Sequence, residues 1–302
     1  MTPNQAGGPL KTDSDKTRQG LLMALIGGMV LSFDIPLIRL ADGDIWSTMT
    51  YRCLGVGIAG FLIFLAARFF GQQDLKFDFR PAAIFASLLY AITSVSFIAA
   101  VFYTTTANVV FILAFTSMFA ALLGWVLNNE KPNVATLITM AATVFGVGLI
   151  VWDGLSAGRW LGDLLALFTS FMLALAITTT RKYDVDLRVN VLAANVVPAA
   201  ISAVFMASNA DSFINAPHWS LVNGLIVIPI SFFCLAYAPR LLYGPLVAMA
   251  YLLETIFAPV WVWLVFNETP TTMTLFGGGV MLSAIITHSL WELRQARQSS
   301  PA

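Results

Sequence analysis

The sequence predicts an all-α membrane protein with ten transmembrane helices, arranged as two inverted five-helix repeats. Three observations support this fold class: the composition, ten long apolar runs, and a short motif that occurs twice. Of the 302 residues, 58% are hydrophobic and 11% are charged, whereas an average soluble domain has about 25% charged residues. A soluble core has no room for so much apolar surface, so we expect most of it to face lipid.

The apolar runs are each long enough to cross a bilayer as a helix, which takes roughly 20 residues. They do not alternate with polar residues, as the strands of a membrane barrel would. The first run is too long for the apolar part of a signal peptide, so it is predicted to be retained. In chain order, the predicted spans lie near residues 20–38, 46–68, 81–103, 106–128, 134–152, 160–180, 190–208, 218–238, 243–266 and 271–290.

The loop charges predict the orientation of these spans. With ten crossings, 13 Lys and Arg residues fall on one side and 2 on the other, and Arg52 lies within a span. Short positively charged loops stay in the cytoplasm, so both termini are predicted to be cytoplasmic, in a bacterial inner membrane. The 13 are Lys11, Lys16, Arg18, Arg68, Lys76, Arg80, Lys131, Arg181, Lys182, Arg188, Arg240, Arg294 and Arg297. The 2 are Arg39 and Arg159.

A repeated motif indicates an internal duplication. "NEKPNVATL" at residues 129–137 returns as "NETPTTMTL" at residues 267–275, with five identities. Each copy would hold five helices, and because five is odd the second copy enters the membrane from the opposite face, as in many transporters. Chance matching of low-complexity membrane segments is the alternative. The predicted units are a tail at 1–17, repeats at 18–153 and 154–292, and a tail at 293–302.

Two longer segments resemble a known family. "GDLLALFTSFMLALAITTTRK" (162–182) and "LLETIFAPVWVWLVFNETPTTMTLFGGGVMLSA" (252–284) look like the repeat unit of the EamA family in the drug/metabolite transporter superfamily. Glu254 and Glu268 match the two acids of the family pattern, while Thr255 stands where proline is common and Asn267 where glycine is common.

The resemblance implies a secondary transporter of small metabolites that works by alternating access around a central cavity. One branch of the family exports aromatic amino acids, and this ten-helix plan is similar to it. We therefore expect export of amino acids, aromatic or otherwise apolar. The alternatives are export of drugs, amines or other metabolites, and a channel-like facilitator.

Three ionisable residues stand out inside the predicted spans: Asp34, Arg52 and Glu254. Such groups are costly in lipid and usually face the protein interior or a water-filled path. Neighbouring antiparallel helices would bring Asp34 and Arg52 to a similar depth, so they could form an ion pair or could snorkel separately to the interface. Glu254 lies near mid-bilayer, where it could bind a substrate ammonium, take up a proton, or serve as a structural acid.

Other polar residues deep in the spans complete the predicted substrate cavity. An apolar pocket with a few convergent polar groups is the usual small-molecule site. The residues predicted to line it with Glu254 are Tyr90, Ser94, Asn108, Thr116 and Tyr251.

Small residues repeat at a spacing of four along three spans. The pairs are Gly55 with Ala59, Ala142 with Gly146, and Gly279 with Ser283. This spacing places both members of a pair on one helical face and predicts close helix packing there.

Other function classes lack their usual patterns. His218 and His288 stand apart, and the chain has no catalytic or metal-binding motif such as H-E-x-x-H or G-x-S-x-G. We therefore expect no enzyme activity, no cofactor and no metal. The predicted partners are a small-molecule substrate and the lipid bilayer, with no nucleic acid. Proton coupling and passive facilitation both stay open as energy sources, and no residue pattern indicates an oligomer.

Overall fold

The computed structural model describes residues 13–70, 76–129, 132–185, 187–237 and 244–299. These residues are nearly all helical, with no strand among them. The helices are α1 Asp13–Leu31, α2 Asp34–Leu40, α3 Ile45–Phe69, α4 Pro81–Tyr103, α5 Thr106–Ala114, α6 Thr116–Asn128, α7 Val134–Ser156, α8 Trp160–Tyr183, α9 Asn190–Ala194, α10 Val196–Ser208, α11 Pro217–Val222, a π-helical segment Asn223–Val227, α12 Ile228–Tyr237, α13 Gly244–Phe266 and α14 Thr272–Ser299.

The prediction of an all-α membrane protein is confirmed. Within the described residues, nine helical stretches are long and apolar enough to cross a membrane, and Ala250–Phe266 is a shorter apolar helix. We number the ten segments as spans: span 1 is α1 with α2, span 4 is α5 with α6, span 7 is α9 with α10, and span 8 is α11 to α12. The remaining spans are single helices, α3, α4, α7, α8, α13 and α14. Helix α1 begins at Asp13 and α14 continues to Ser299, so helical structure runs into both predicted tails.

Proline interrupts two of the divided spans. A proline has no N–H to donate and its ring collides with the carbonyl four residues earlier. Pro36 acts on Ser32, where span 1 breaks between α1 and α2. Pro198 acts on Ala194, the last residue of α9, and span 7 breaks there.

Spans 4 and 8 are irregular for different reasons. The π-helical segment Asn223–Val227 lies just before Pro229 and absorbs the bond that this proline removes. Span 4 breaks at Phe115 without a proline. There, the Phe115 N–H bonds to the Ile112 carbonyl at 3.0 Å, and the Ser170 hydroxyl of span 6 donates to the same carbonyl at 2.9 Å. The break is therefore stabilised by a neighbouring span.

The spans alternate in direction, and their connections meet at two faces. At the face that we call the opposite face, Arg39 of span 1 donates to the Thr104 carbonyl after span 3 at 3.1 Å. The Thr104 hydroxyl donates to Asp163 of span 6 at 2.7 Å. A backbone bridge joins Gly43, after span 1, to Ile214, after span 7.

The other face carries most of the described basic residues, and we call it the basic face. The residues at helix ends that define it are Arg68, Arg80, Arg181, Lys182 and Arg294. Asp78, before span 3, accepts a hydrogen bond from Asn190 at the start of span 7. Arg80 donates to the Asp184 carbonyl after span 6 at 2.9 Å. The even-numbered connections thus meet at this face.

In each of the main helix pairs, one helix belongs to the first half of the sequence and the other to the second half. Span 5 packs against span 10, span 2 against span 7, span 3 against span 6, and span 1 against spans 8 and 9. The largest hydrophobic cluster has the buried residues of α5, including Val109 and Ile112, at its centre. The two halves of the sequence are therefore interleaved rather than side by side.

The repeated motif ends two helices in the same way. Asn129 ends span 4 and Asn267 ends span 9, and both adopt left-handed backbone conformations, with φ of 56° and 55°. Asparagine tolerates this region better than most residues and shares it with glycine. This explains physically why Asn267 can stand where the resembled family commonly has glycine.

The same motif also begins the next helix in each case. The Asn133 side chain accepts a hydrogen bond from the Thr136 N–H at 2.8 Å at the start of span 5. The Thr271 hydroxyl accepts one from the Thr274 N–H at 3.1 Å at the start of span 10. Capping of this kind satisfies amide groups that have no partner within the helix. The motif is therefore a helix–loop–helix connection used twice.

The two copies of this connection lie at different faces. The Lys182 ammonium of the basic face donates to the Leu127 carbonyl at the end of span 4 at 3.0 Å. The Glu268 carboxylate accepts from the Thr106 N–H of the opposite face at 2.7 Å. Glu130 and Lys131, in the first copy, lie outside the described residues.

Small residues bring some helices into close contact, as predicted for two of three pairs. Gly55 faces Gly224 of span 8, and Gly146 faces Gly277 of span 10. The expectation for Gly279 is wrong, because nothing lies within 4 Å of the position where its Cβ would be. Its neighbour Gly278 makes the close contact instead, against the ring of Phe111.

Candidate functional site

A buried ion pair lies between spans 1 and 2. The Arg52 guanidinium binds the Asp34 carboxylate through three hydrogen bonds, of 2.8, 3.1 and 3.2 Å. The residues are only 3% and 4% exposed, so neither side chain extends to the interface as snorkelling would require. A bidentate contact of this kind fixes the guanidinium in one orientation.

The π-helical segment of span 8 supplies a third member of this group. The Asn223 amide donates to the Asp34 carboxylate and to the Asp34 backbone carbonyl, each at 2.8 Å. The carbonyl oxygen of the same amide is buried and has no hydrogen-bond partner within the described residues. We call Asp34, Arg52 and Asn223 the polar centre. Sequence reasoning missed Asn223, although its position before Gly224 and Pro229 in an apolar run was a usable signal.

Aromatic rings surround the polar centre. The Arg52 guanidinium lies 5.6 Å from the centroid of the Phe97 ring in span 3, a distance at which a cation is attracted to the ring face. Trp261 of span 9 stacks on Phe33 at the break in span 1, with 5.2 Å between ring centroids. The Trp261 indole N–H donates to the Ser32 hydroxyl at 3.0 Å. Span 9 therefore packs against the break in span 1.

Glu254 of span 9 lies close to the polar centre without a direct bond to it. It interacts electrostatically with both Asp34 and Arg52, but it lies beyond ion-pair distance from Arg52. One carboxylate is thus paired with the guanidinium, and a second lies within reach of the same charges. This arrangement leaves Glu254 able to receive a cation or a proton.

Tyr251 and Tyr90 extend the group towards the basic face. Tyr251 interacts with Glu254 one turn later in span 9, and Tyr90 of span 3 interacts with Tyr251 and with Thr180. Tyr251 is 47% exposed even though its neighbours lie inside the bundle. Its ring is therefore not enclosed by packed core.

Two further residues predicted to line the cavity, Ser94 and Thr116, lie on spans 3 and 4. Ser94 follows Tyr90 by one helical turn, on the same face of α4, and is partly exposed. Thr116 begins α6 directly after the break in span 4, and its hydroxyl is buried without a hydrogen-bond partner among the described residues. Both side chains lie on spans that contribute to the interior of the bundle.

Asn108 makes its hydrogen bonds with a different set of residues from the tyrosines. It is fully buried near the opposite face. Its amide donates to Asp163 at 3.0 Å and to Thr104 at 3.3 Å, and its carbonyl oxygen accepts from Thr274 at 2.9 Å. With its amide engaged in this way, Asn108 offers no free polar group to a substrate.

The partners of Asn108 form a polar network that sequence reasoning did not find. It joins spans 3, 4, 6 and 10 at the opposite face. The network continues from Thr274 to the Thr271 hydroxyl at 3.0 Å and from there to the Asp153 carboxylate at 2.9 Å. Asp153 lies 3.4 Å from Arg159. Asp163 and Asp153 lie near helix ends, where charges usually signal only the interface, so hydropathy gave no sign of a network.

A further ion pair at the opposite face connects span 1 to the end of span 9. The Arg39 guanidinium lies 3.4 Å from the Glu268 carboxylate and donates to the Thr106 hydroxyl at 3.1 Å. Glu268 also accepts from the Thr106 N–H. Both side chains are about one-quarter exposed, at 26% and 21%. Spans 1, 4 and 9 are thus held together where they reach the opposite face.

Among the described residues, no set of three or more His, Cys, Asp or Glu side chains comes together as it would around a metal ion.

The chain resembles known proteins in its fold and in the sequence of its first half. Among solved structures, 17 chains match. One of them, a crystal structure, superimposes with a TM-score of 0.62, over 96% of this chain and 100% of the other, at 15% sequence identity. At that identity the likeness concerns the fold alone. No curated protein matches the sequence. The model of the EamA-like transporter family matches residues 18–152, and over this part the chain is similar to that family of membrane transporters of small molecules.

Proposed function

We propose that this protein exports small metabolites across the inner membrane as a secondary transporter, in the first place aromatic or other apolar amino acids. The observation that carries the proposal is the buried pair of Asp34 and Arg52 with Glu254 nearby. A charge in the bilayer costs roughly 2.5–3.5 kcal/mol on the insertion scale. Three such groups at the junction of spans 1, 2, 8 and 9 mark a path for a polar solute.

The substrate class follows from the charges and rings. Glu254 would receive an ammonium group, because it is not paired directly with a cation of the polar centre. Arg52 would attract the carboxylate that is bound to the same carbon atom as the ammonium group. The rings of Tyr90 and Tyr251 offer an apolar surface with two hydroxyl groups for the side chain of the solute. An amino acid with an aromatic or apolar side chain combines these features.

The proposed mechanism is alternating access between two inverted halves, residues 18–153 and 154–292. The repeated connection supports it, since Asn129 and Asn267 end equivalent spans with the same backbone conformation near different faces. The helix pairing supports it as well. Inversion would exchange spans 1 to 5 with spans 6 to 10, so the contact of span 3 with span 6 has its counterpart in that of span 8 with span 1.

Each face carries contacts that would have to open in turn. At the opposite face these are the Arg39–Glu268 pair and the network around Asp163. At the basic face, Arg80 holds the end of span 6, and Tyr90 packs against the apolar cluster that contains Val185. Because basic loops are retained on the cytoplasmic side, we assign the basic face and both termini to the cytoplasm.

The energy source divides into two cases that one assay separates. If Glu254 exchanges a proton for the substrate ammonium, export is coupled to the proton gradient. If it only binds the ammonium, the protein is a facilitator that runs down the substrate gradient. The first case predicts that an imposed pH gradient drives substrate accumulation in vesicles, and the second predicts equilibration without accumulation.

The test is reconstitution into proteoliposomes with a panel of labelled solutes. The panel contains phenylalanine, tryptophan, leucine, glutamate and phenethylamine, each with and without a pH gradient. We expect saturable uptake of the apolar amino acids that unlabelled substrate inside the vesicles stimulates. Phenethylamine uptake alone would favour an amine exporter, and conductance beyond carrier turnover would favour a channel.

The matched variants are Glu254→Gln and Asp211→Asn. Asp211 is an exposed carboxylate in the connection between spans 7 and 8, so its loss should leave uptake unchanged. Glu254→Gln should reduce uptake by about tenfold or more, since it removes a charge-assisted hydrogen bond to the ammonium. An unchanged rate and an unchanged response to pH in Glu254→Gln would remove this residue from the mechanism.

A further inference from the structure

A cavity of about 340 Å³ lies away from the polar centre, between α6, α7 and α14 near the basic face. This volume is at the lower end of small-molecule sites, which are about 300–1,000 Å³. The cavity reaches from Pro132 and Glu292 at the face to Thr143, more than two turns into span 5. None of the residues proposed for the substrate site lines it.

Three hydroxyl groups in the wall of the cavity donate hydrogen bonds to backbone carbonyl groups of their own helices. The Thr139 hydroxyl donates to the Ala135 carbonyl at 3.0 Å, and the Thr143 hydroxyl donates to the Met140 carbonyl at 2.9 Å. Ser117 donates in the same way within span 4. A hydroxyl that donates to its own helix keeps its oxygen lone pairs for an incoming donor. These three hydroxyl groups can therefore accept a hydrogen bond from a ligand.

His288 lies in the same wall. Its Nε2 lies 3.0 Å from the Thr136 hydroxyl, which also lies 3.0 Å from the Asn133 side-chain oxygen. Because the Thr136 hydroxyl carries one proton, it can donate to only one of these two atoms. In either tautomer the neutral imidazole ring keeps one nitrogen as a hydrogen-bond acceptor.

A carboxylate completes the acceptor set. Glu292 lies one turn after His288 in α14, with one oxygen 3.9 Å from Nε2, and its side chain is 42% exposed. The described residues that line the cavity include this carboxylate and no lysine or arginine. Met118, Met140 and Ile285 supply an apolar side. A carboxylate at the mouth, acceptors along the wall and apolar side chains beside them match a ligand with a positively charged donor group and an apolar body.

We propose that this cavity is a second binding site, selective for small organic ammonium cations that enter from the basic face. The ammonium group would bind to Glu292 and the hydroxyl oxygens, and the apolar body would lie against Met118, Met140 and Ile285. The site is separate from Glu254 and does not depend on the transport proposal, because it requires binding alone.

Binding to the purified protein in detergent tests this proposal. The probes are benzylammonium, benzyl alcohol and benzoate, which share a ring and differ in charge, and isothermal titration gives their affinities. We expect benzylammonium to bind at least about tenfold more tightly than benzyl alcohol, as a charge-assisted hydrogen bond would allow, and benzoate to bind most weakly. A preference for benzoate or equal binding of all three would overturn the proposal.

A set of variants locates the bound probe. Glu292→Gln should reduce benzylammonium affinity to that of benzyl alcohol, and Ala121→Phe should block the cavity and abolish binding of both. Asp211→Asn, which changes an exposed carboxylate outside both sites, should leave benzylammonium affinity unchanged. Loss of binding in Glu254→Gln with retention in Glu292→Gln would place the probe at the polar centre and refute a second site. Thermal unfolding of each variant verifies that it is folded, and Glu292→Asp should restore part of the affinity if the charge itself is required.

Discussion

The Arg52 guanidinium lies 2.8 Å from the Asp34 carboxylate, and both side chains are buried inside a bundle of membrane-spanning helices. Removing one partner leaves the other charge unpaired, which typically costs about 3–5 kcal/mol at a buried site. Asp34→Asn and Arg52→Gln should therefore each lower the free energy of unfolding by an amount of this order. Unfolding in detergent by heat or denaturant measures the effect.

The double variant supplies the control for that prediction. Because Asp34→Asn and Arg52→Gln together remove both charges, the pair should be clearly less destabilised than the sum of the single variants. Additive losses would mean that the two side chains act independently, and would contradict the ion pair.

Two adjacent glycines in span 10 should respond in opposite ways to alanine. A Cβ at Gly278 would meet the ring of Phe111, whereas one at Gly279 would meet nothing within 4 Å. Gly278→Ala should cost about 1–3 kcal/mol through overpacking. Gly279→Ala should be neutral or stabilising by up to about 1 kcal/mol, because alanine is the better helix former. Equal effects on the unfolding free energy would show that spans 4 and 10 do not meet at this point.

The Arg39–Glu268 pair should hold the opposite face closed. Glu268→Gln removes the ion pair and weakens the bond to the Thr106 N–H. We expect a cysteine placed at Thr105 to react several-fold faster with a membrane-impermeant maleimide in that variant than in the unchanged background. Asp211→Asn removes an exposed carboxylate at the same face and should leave the rate unchanged. A slower reaction in Glu268→Gln would show that the ion pair opens this face rather than closing it.

Asp44, in the connection between spans 1 and 2, should stabilise the fold in a pH-dependent way. Partial burial on its own would raise the pKa of this carboxyl. Hydrogen bonds from the Ser47 hydroxyl and from the N–H groups of Phe213, Ser47 and Trp46 outweigh burial and lower the pKa below 3.8. The pKa is thus lower in the folded state than in the unfolded state. The stabilisation is therefore complete above about pH 4 and disappears as the pH falls through the folded-state pKa.

Asp44→Ala tests this expectation. At neutral pH the variant should be less stable by about 1 kcal/mol, the usual cost of a lost helix N-cap. The difference from the unchanged protein should shrink as the pH falls below about 4. A difference that is constant down to pH 3 would mean that the charge of Asp44 makes no contribution.

The span boundaries could be predicted from the sequence because hydropathy and length act locally. The predicted run at 81–103 coincides with α4, and the run at 190–208 coincides with α9 and α10. The depth of Asp34 and Arg52 could be estimated for the same reason. Since each lies a countable number of residues from a shared connection, their meeting followed from antiparallel geometry.

The partners of these residues depend on helix rotation, which hydropathy does not determine. Asn108 was placed with the tyrosines because its depth was suitable, but its face of α5 points to Asp163 and Thr274. Asn223 was not predicted, because its contact with Asp34 depends on the rotation that the π-helical segment introduces into span 8. The break at Phe115 has no proline to signal it and depends on Ser170 of another span.

The central claim is that two oppositely oriented halves enclose the polar centre, and site-directed labelling tests it most directly. Single cysteines are placed at Lys131, in the first copy of the repeated motif, and at Thr269, in the second, in a background without Cys53 and Cys234. Intact cells are then treated with a membrane-impermeant maleimide, before and after the membrane is opened. We predict that the cysteine at position 269 reacts in intact cells and that the one at position 131 reacts only after opening. Reaction of both from the same side would contradict the inverted arrangement and the transport mechanism built on it.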